Sequence, residues 1–450
     1  MKNLPKSFDV VVIGAGPVGC VTAMAFGRNG ARVLLLEANP DRSKQLAGEW
    51  LHPPGLQVLQ RLGVGSVSTL GSDYANGQGF VVFPDNGTEP IRLDYPNSYL
   101  GMSCEHNTLV SALREAALSH PSVNFIPFAQ VNHIEKEKLS FENGKHGETK
   151  TVFTQRIIGA DGRSSMVRKV LGIHPQCTLI SYMAGILLEN VTLPFEGFGH
   201  VHLGGPGPVL IYRIGSNQIR VCLDVPIERF RNSQNKAAYL WDAYSPVLPE
   251  ALLPAFRQAL ENKPIAWCAN QFSPRFNYGH EGITLVGDAA GHCHPITATG
   301  MTLGFQDAEC LALSKKFREF QHLRLTRTYV PELLACVLYQ VFTSLDDSAL
   351  AIRQSVYRMW RQHPDECRRT MLLLSGAEAN LVDFSISFLK GVRMAALQMV
   401  KESAAKGQWR QIIPALACFG ECLELPIEVG LLRLGYSRLP EVHISNKYLR

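Results

Sequence analysis

Charge is what this sequence carries least of. Asp, Glu, Lys and Arg make up 18% of its 450 residues, against roughly 25% in ordinary soluble chains. With 46% apolar residues, the chain can bury enough surface to offset its ordering entropy, which excludes a disordered protein. Basic clusters are missing as well: 44 Lys and Arg stand scattered against 39 Asp and Glu, a net charge of +5. A nucleic-acid partner needs a concentrated cationic stripe, so none is expected. No run reaches the roughly 18 uncharged apolar residues of a bilayer-spanning helix. No CxxC pair occurs among the 11 cysteines, and Cys418 and Cys422, four apart, suit neither disulfide nor zinc spacing. Residues 1–9 are short and polar, so no signal peptide is expected. Scattered thiols without a leader point to a cytoplasmic protein. Repeats and low-complexity tracts are absent too. The charge deficit leaves open a large shared core, a cavity for an apolar ligand, or a surface that rests on a membrane.

What is present starts near the N-terminus. Residues 9–13 (DVVVI) form a continuous apolar run, the pattern of a strand buried on both faces. The run leads into Gly14-Ala15-Gly16-Pro17-Val18-Gly19, a helical stretch over 20–29, and a second buried strand over 31–36 that ends in Glu37-Ala38. Gly14 permits the tight turn, Gly16 lets backbone approach a pyrophosphate, and Gly19 lets helix and strand pack closely. The helix N-terminus offers free N–H groups and a positive dipole end to the phosphates. Glu37, 18 residues after Gly19, is placed to accept hydrogen bonds from an adenosine ribose. Strand, glycines, helix, strand and acid in register predict a dinucleotide site.

Two later segments choose the dinucleotide. Residues 157–168 (IIGADGRSSMVR) run a short strand into Asp161-Gly162, with Ser165 and Arg168 at the opening of a helix. Residues 282–290 (GITLVGDAA) deliver Gly287-Asp288 to the mouth of the sheet. Gly291-His292-Cys293-His294-Pro295 and Thr299-Gly300-Met301 follow, where a helix begins. This order and spacing of GxGxxG, DG and GD motifs resembles the aromatic-hydroxylase class of FAD-dependent monooxygenases. The resemblance implies FAD, with Asp288 on the ribityl chain and the helix at Gly300-Met301 facing the isoalloxazine N1–O2 edge. A helix dipole there stabilises the anionic reduced ring. It also associates Asp161-Gly162 with both FAD and the nicotinamide donor.

The branch is marked by further residues. Pro40-Asp41-Arg42, Ala47-Gly48-Glu49-Trp50-Leu51-His52-Pro53-Pro54-Gly55 and His294-Pro295-Ile296-Thr297 with Gly300-Met301-Thr302 and Asp307 resemble squalene epoxidase, which reads PDR, GE-L-QPGG and HPLT-GGGMT-D there. The hairpin over 208–226 is similar to that family's substrate-domain strands. Arg42 is expected to contact FAD, Glu49 to orient the flavin or a neighbouring arginine, and Pro295 to shape the flavin loop. Departures stand beside these. The family's N-terminal membrane segment is not seen, Asn107-Thr108 replaces an Arg that approaches the flavin, Gln78 replaces a Tyr, and Ala298-Thr299-Gly300 replaces GGG. No metal is expected, because His292-Cys293-His294 alternate in one loop and do not converge as a tetrahedral site requires.

The expected fold class is α/β: a Rossmann-like FAD-binding domain, an inserted antiparallel β-sheet substrate domain, and a C-terminal helical region. The first takes 1–75, 100–180 and 276–320; the second 76–99 and 181–275; the third 321–450. Alternation with Gly, Pro and Asn breaks over 80–93 and 186–225 predicts one sheet over the flavin. Its inner face would make the substrate cavity, with Tyr182, Tyr212 and Arg213 as lining residues. Residues 333–342, 371–400 and 412–432 are apolar too densely for a narrow stripe. They read as helices lidding that sheet, or as a monotopic surface with Arg393, Lys401, Lys406 and Arg410 near lipid headgroups; the two are compatible.

The resemblance implies that NADPH or NADH reduces FAD and that a flavin C4a-hydroperoxide then epoxidises or hydroxylates a lipophilic alkene or aromatic ring with O2, in secondary-metabolite or lipid biosynthesis. The difficult chemistry belongs to the flavin, so no catalytic side chain is required. A halogenase of the same fold would carry WxWxIP, and a geranylgeranyl-reductase-type enzyme YxWxFP; neither motif occurs. A non-catalytic flavoprotein that sequesters an intermediate is the remaining alternative, suggested by Thr108.

Overall fold

The computed structural model describes residues 4–41, 46–64, 73–144, 147–174, 177–345 and 347–405. Arg42, Lys406, Arg410 and the stretch 412–432 lie outside them. The chain opens with strand β1 (Ser7–Ile13), helix α1 (Pro17–Arg28) and strand β2 (Val33–Glu37), the βαβ start that the apolar runs predict. Short elements follow: β3 (Trp50–Leu51), α2 (Pro53–Arg61), β4 (Ala75–Gly77), β5 (Gly79–Phe83), β6 (Ile91–Asp94) and β7 (Gly101–Ser103). Helix α3 (His106–Leu118) and strand β8 (Val123–Pro127) return to the nucleotide fold. A meander of β9 (Ala129–Glu135) and β10 (Lys138–Asn143) then leads into β11 (Thr149–Gly159) and α4 (Met166–Val170).

The second excursion runs through β12 (Thr178–Glu189), β13 (Phe198–His202), β14 (Val209–Arg213) and β15 (Gln218–Pro226). Helices α5 (Ile227–Asn232), α6 (Lys236–Tyr244) and α7 (Leu253–Asn262) precede β16 (Ala266–Phe272). Strands β17 (Gly279–His280) and β18 (Ile283–Leu285) rejoin the first sheet, and helices α8 (Gly300–Leu313), α9 (Phe317–Thr343), α10 (Asp347–Gln362), α11 (Pro364–Leu374) and α12 (Leu381–Ala405) complete the described chain.

The first sheet has the order β17-β18-β11-β1-β2-β8, with β18, β11, β1, β2 and β8 parallel. Helices α1, α3 and α8 cover it, and its core takes in Val11, Val12, Leu34, Leu35, Leu113 and Phe305. The second sheet has the order β16-β12-β15-β14-β13-β5-β6. It is antiparallel but for one joint, where β13 runs parallel to β5. That joint sews the early excursion to the late one. A third, three-stranded sheet, β3-β7-β4, sits between them.

Side chains alternate across the second sheet as a pleated strand requires. Ala184, Ile186, Val209, Ile211, Val221 and Leu223 point outward onto α6 and α7, through Leu240, Tyr244 and Phe256. Phe80, Met183, Tyr212 and Cys222 point inward, against Val330, Leu333, Tyr357 and Trp360 of α9 and α10 and Met371 of α11. The helices after Lys316 thus lid the sheet's inner face. Arg353 fastens this lid. Nearly buried, it pairs with Asp85 after β5 at 3.0 Å and donates to the carbonyls of Val341 and Phe342 at the end of α9. Arg353→Met strips the half-hidden Asp85 of its counter-ion and is expected to cost about 3 kcal/mol, measured by denaturant unfolding.

Candidate functional site

Strand register gathers the motifs. Ile13 lies opposite Leu36 on one side and Gly159 on the other, and Gly159 lies opposite Leu285. The residues at or just after each strand end therefore lie along one carboxyl edge: Gly14, Glu37, Asp161 and Gly287-Asp288. Ligands of open parallel sheets bind outside this edge. At Gly14, φ is +99°, and a Cβ would meet the Ala160 carbonyl at 2.6 Å. A Cβ on Gly19 would meet the Gly14 carbonyl oxygen at 1.7 Å, so only glycine lets α1 pack on the turn. Gly16 faces open space, as a phosphate cradle needs. Pro17 opens α1, where its missing N–H costs nothing. Val18 fills the gap to Gly287 and Gly304, joining α1 to α8.

Glu37 accepts from the backbone N–H groups of Ala15 and Asn39, both at 2.8 Å, while Ala38 is exposed beside it. Arg114 of α3 donates to the carbonyls of Ala15 and Pro40, also at 2.8 Å. Asp161 caps α4 through one oxygen, accepting from Met166 N at 2.6 Å. Its other oxygen is buried with no partner among the described residues. Gly162 and Gly300 face open space. Arg168 ties the DG and GD segments together by donating to the carbonyls of Ala289, at 2.8 Å, and Arg163. Half-exposed Asp288 stands 4.0 Å from the Arg163 guanidinium. Asp307 of α8 accepts from Gly287 N at 2.9 Å and from Arg324 at 2.5 Å. The Met301 side chain lies 3.1 Å from where a Gly48 Cβ would be. Open glycines, an orphaned oxygen and two helix N-termini on one edge suit a dinucleotide.

The inner face of the second sheet meets this edge through polar groups. Glu49, expected to orient the flavin or an arginine, takes Arg220: its oxygens accept from Arg220 at 2.6 and 3.0 Å and from Tyr212 at 3.0 Å. Burial raises the Glu49 carboxyl pKa, and the hydrogen bonds from Arg220 and Tyr212 pull it back. Tyr212 faces inward. Tyr182 and Arg213 do not: Tyr182 stacks on Phe230 at 3.9 Å on the outer face, and Arg213 pairs with Glu196 at 2.5 Å. Period-two alternation sends Arg213 the opposite way from Tyr212. The loop carrying Pro295 is held twice. His294 donates from Nε2 to Asp224 at 2.9 Å, and His52 reaches the Thr297 carbonyl at 2.8 Å. His292 instead lies 4.0 Å from the Cys177 sulfur, so the two loop histidines diverge. Among the described residues no three His, Cys, Asp or Glu side chains form a metal cluster.

The squalene epoxidase family model matches residues 153–411. The chain is 30% identical over 383 residues to a squalene epoxidase of Aspergillus fumigatus, covering 78% of this chain and 79% of that one. This chain belongs to the squalene epoxidase family. It is also 28% identical over 376 residues to mouse squalene monooxygenase, covering 78% of this chain but only 64% of the mouse protein's length. Among solved structures, p-nitrophenol 4-monooxygenase of Pseudomonas putida superposes with a TM-score of 0.64 at 18% identity, covering 83% of this chain and 100% of that one. A flavin-dependent brominase gives 0.68 at 15%, covering 89% and 100%. Both likenesses concern the Rossmann-like FAD-binding fold.

Where the squalene epoxidase motif carries Gln, this member has His52, and its surroundings define its tautomer. The Thr297 carbonyl only accepts, so Nε2 carries the proton and Nδ1 accepts from the Tyr95 hydroxyl at 2.5 Å. Tyr95 in turn accepts from Trp50 Nε1 at 2.9 Å. Burial pushes the His52 pKa down to about 4. The unfolded chain takes up this proton below its ordinary pKa of 6.5, and the folded chain only near 4. The unfolded state therefore binds more protons across that window, and stability falls as pH falls through it. His52 alone contributes a slope of about 1.4 kcal/mol per pH unit. His52→Gln keeps a donor for Thr297 and an acceptor for Tyr95, and is expected to flatten the urea-unfolding profile by that amount.

Proposed function

We propose that the protein is an FAD-dependent monooxygenase that uses NADPH or NADH and O2 to epoxidise or hydroxylate a lipophilic alkene or aromatic substrate. Family membership supports this reading. The observation that carries it is the convergence of the GxGxxG, DG and GD segments with the N-terminus of α8 on one strand edge, against the largely apolar inner face of the second sheet. Bound FAD supplies the oxygen-transfer chemistry. Gly14, Gly16, Pro17, Val18 and Gly19 would seat its pyrophosphate at the start of α1. Glu37 and Ala38 would flank the adenosine, and Asp161, Gly162, Gly287 and Asp288 the ribityl side. Pro295, Gly300 and Met301 would face the ring, where the dipole of α8 favours negative charge. Glu49 serves at one remove, holding Arg220 and Tyr212. The lid of α9 to α11 excludes water from the face where a lipophilic molecule would lie.

A peripheral membrane contact belongs to the same proposal. Leu381, Val382, Ile386, Leu389 and Leu397 of α12 are exposed, with Arg393 and Lys401 exposed on the same helix, and apolar faces with cationic flanks bind lipid surfaces. Among the described residues no helix is long and apolar enough to cross a membrane. A cytoplasmic setting and a role in secondary-metabolite or lipid biosynthesis complete the reading. Purified protein with FAD, NADPH or NADH, and squalene or another polyene under isotopically labelled O2 tests it. One labelled oxygen atom per product molecule is expected; saturated product would favour a reductase and defeat the proposal.

A further inference from the structure

Asp224 sits on the inner face of β15, 1% exposed, in a strand otherwise apolar from Val221 to Val225 save for this residue. Its Oδ2 accepts from Ser181 of β12 at 2.6 Å, from Asn270 of β16 at 2.9 Å and from His294 Nε2 at 2.9 Å. Its Oδ1 accepts from the hydroxyl of Tyr339, in lid helix α9, at 3.1 Å. One carboxylate on β15 thus collects donors from the two strands β12 and β16 of the second sheet, from the loop before α8, and from the lid. Four donors satisfy a buried carboxylate without a neighbouring cation.

The His294 ring carries the connection onward. Its Nδ1 accepts from Ile296 N at 3.2 Å, closing the turn Pro295–Thr297, so Nε2 holds the proton given to Asp224. The ring also rests on the Tyr339 ring, with centroids 4.2 Å apart. Immediately after the turn, Ala298 holds a left-handed φ of 52°, and Thr299 then starts α8. A side-chain-bearing residue in that region persists only where its surroundings hold it there. Around Tyr339, the α9 residues Leu333, Leu338 and Val341 pack into the same cluster as Phe80 and Tyr212.

We propose that Asp224 is a positioning residue that couples lid helix α9 to the loop presenting α8 to the flavin, through Tyr339 on one side and His294 on the other. Lid closure brings the Tyr339 hydroxyl onto the carboxylate; the carboxylate holds His294; His294 holds the turn that sets the N-terminus of α8. This rests on the FAD reading above. FAD is titrated into the full-length apoprotein of the wild type, Asp224→Asn and Tyr339→Phe, and flavin fluorescence and the visible spectrum of the bound ring are followed. Tyr339→Phe removes one hydroxyl and keeps the ring, so it remains informative even where Asp224→Asn fails to fold. Asp224→Asn is expected to weaken FAD binding about tenfold, the loss typical of a charged hydrogen bond. Tyr339→Phe is expected to shift the bound-flavin spectrum, and to increase the share of electrons lost as hydrogen peroxide when NADPH is added. Wild-type spectrum and affinity in Tyr339→Phe overturn the coupling alone. A wild-type protein that takes up no FAD overturns the flavin reading, and the coupling with it.

Discussion

Parallel register is the constraint on which the site depends. Four strand ends, at Ile13, Leu36, Gly159 and Leu285, align in one row, and every nucleotide motif begins within a few residues of it. The alignment holds because α1 packs flush on the turn at Gly14, and it does so only because Gly19 has no Cβ to strike the Gly14 carbonyl. Val18 then extends the same contact to Gly287 and Gly304, so α1 and α8 are positioned against each other by the motif that opens the chain. A shift of one residue in any of these strands would move its motif off the edge.

A second layer of organisation is polar and buried. The largely apolar inner face of the second sheet carries Arg220 and Asp224, and each meets a group of the nucleotide fold: Glu49 for Arg220, His294 for Asp224. Burying such groups is costly unless each is paired. Sheet and nucleotide fold are consequently held in one relative position rather than sliding on a greasy interface. The same logic applies beneath α8, where Arg324 and Asp307 fasten the Gly287 turn. These pairs give direction to an interface that hydrophobic packing alone would leave indifferent to small displacements.

Much of this was legible in the chain. The buried strands, the glycine turn, the helix start at Gly300 and the lidding helices follow from local patterns, because backbone conformation and periodicity are short-range properties. The low charge also has its place: two apolar interfaces, one on each side of the second sheet, absorb much of the apolar content. Arg220, Cys222 and Asp224, alternating on one face of β15, were a readable signal that the inner face carries buried polar groups. Arg114 was not readable as a clasp on Ala15, since 99 residues separate them. Strand membership alone does not say which side Tyr182 and Arg213 take; only the phase of the pleat decides it, and it turns both away from the inner face.

The sequence by itself determined the nucleotide-binding unit, its family and the type of each element, because those depend on residues close together in the chain. Tertiary structure alone decided which polar groups meet. Glu49 found Arg220 rather than open solvent, His52 found Tyr95 and Thr297, and Asp224 found a histidine and a lid tyrosine 70 and 115 residues away. Such partners are set by strand register and helix docking, which no local pattern encodes. The physical reason is that a buried polar group must find a partner wherever the fold brings one.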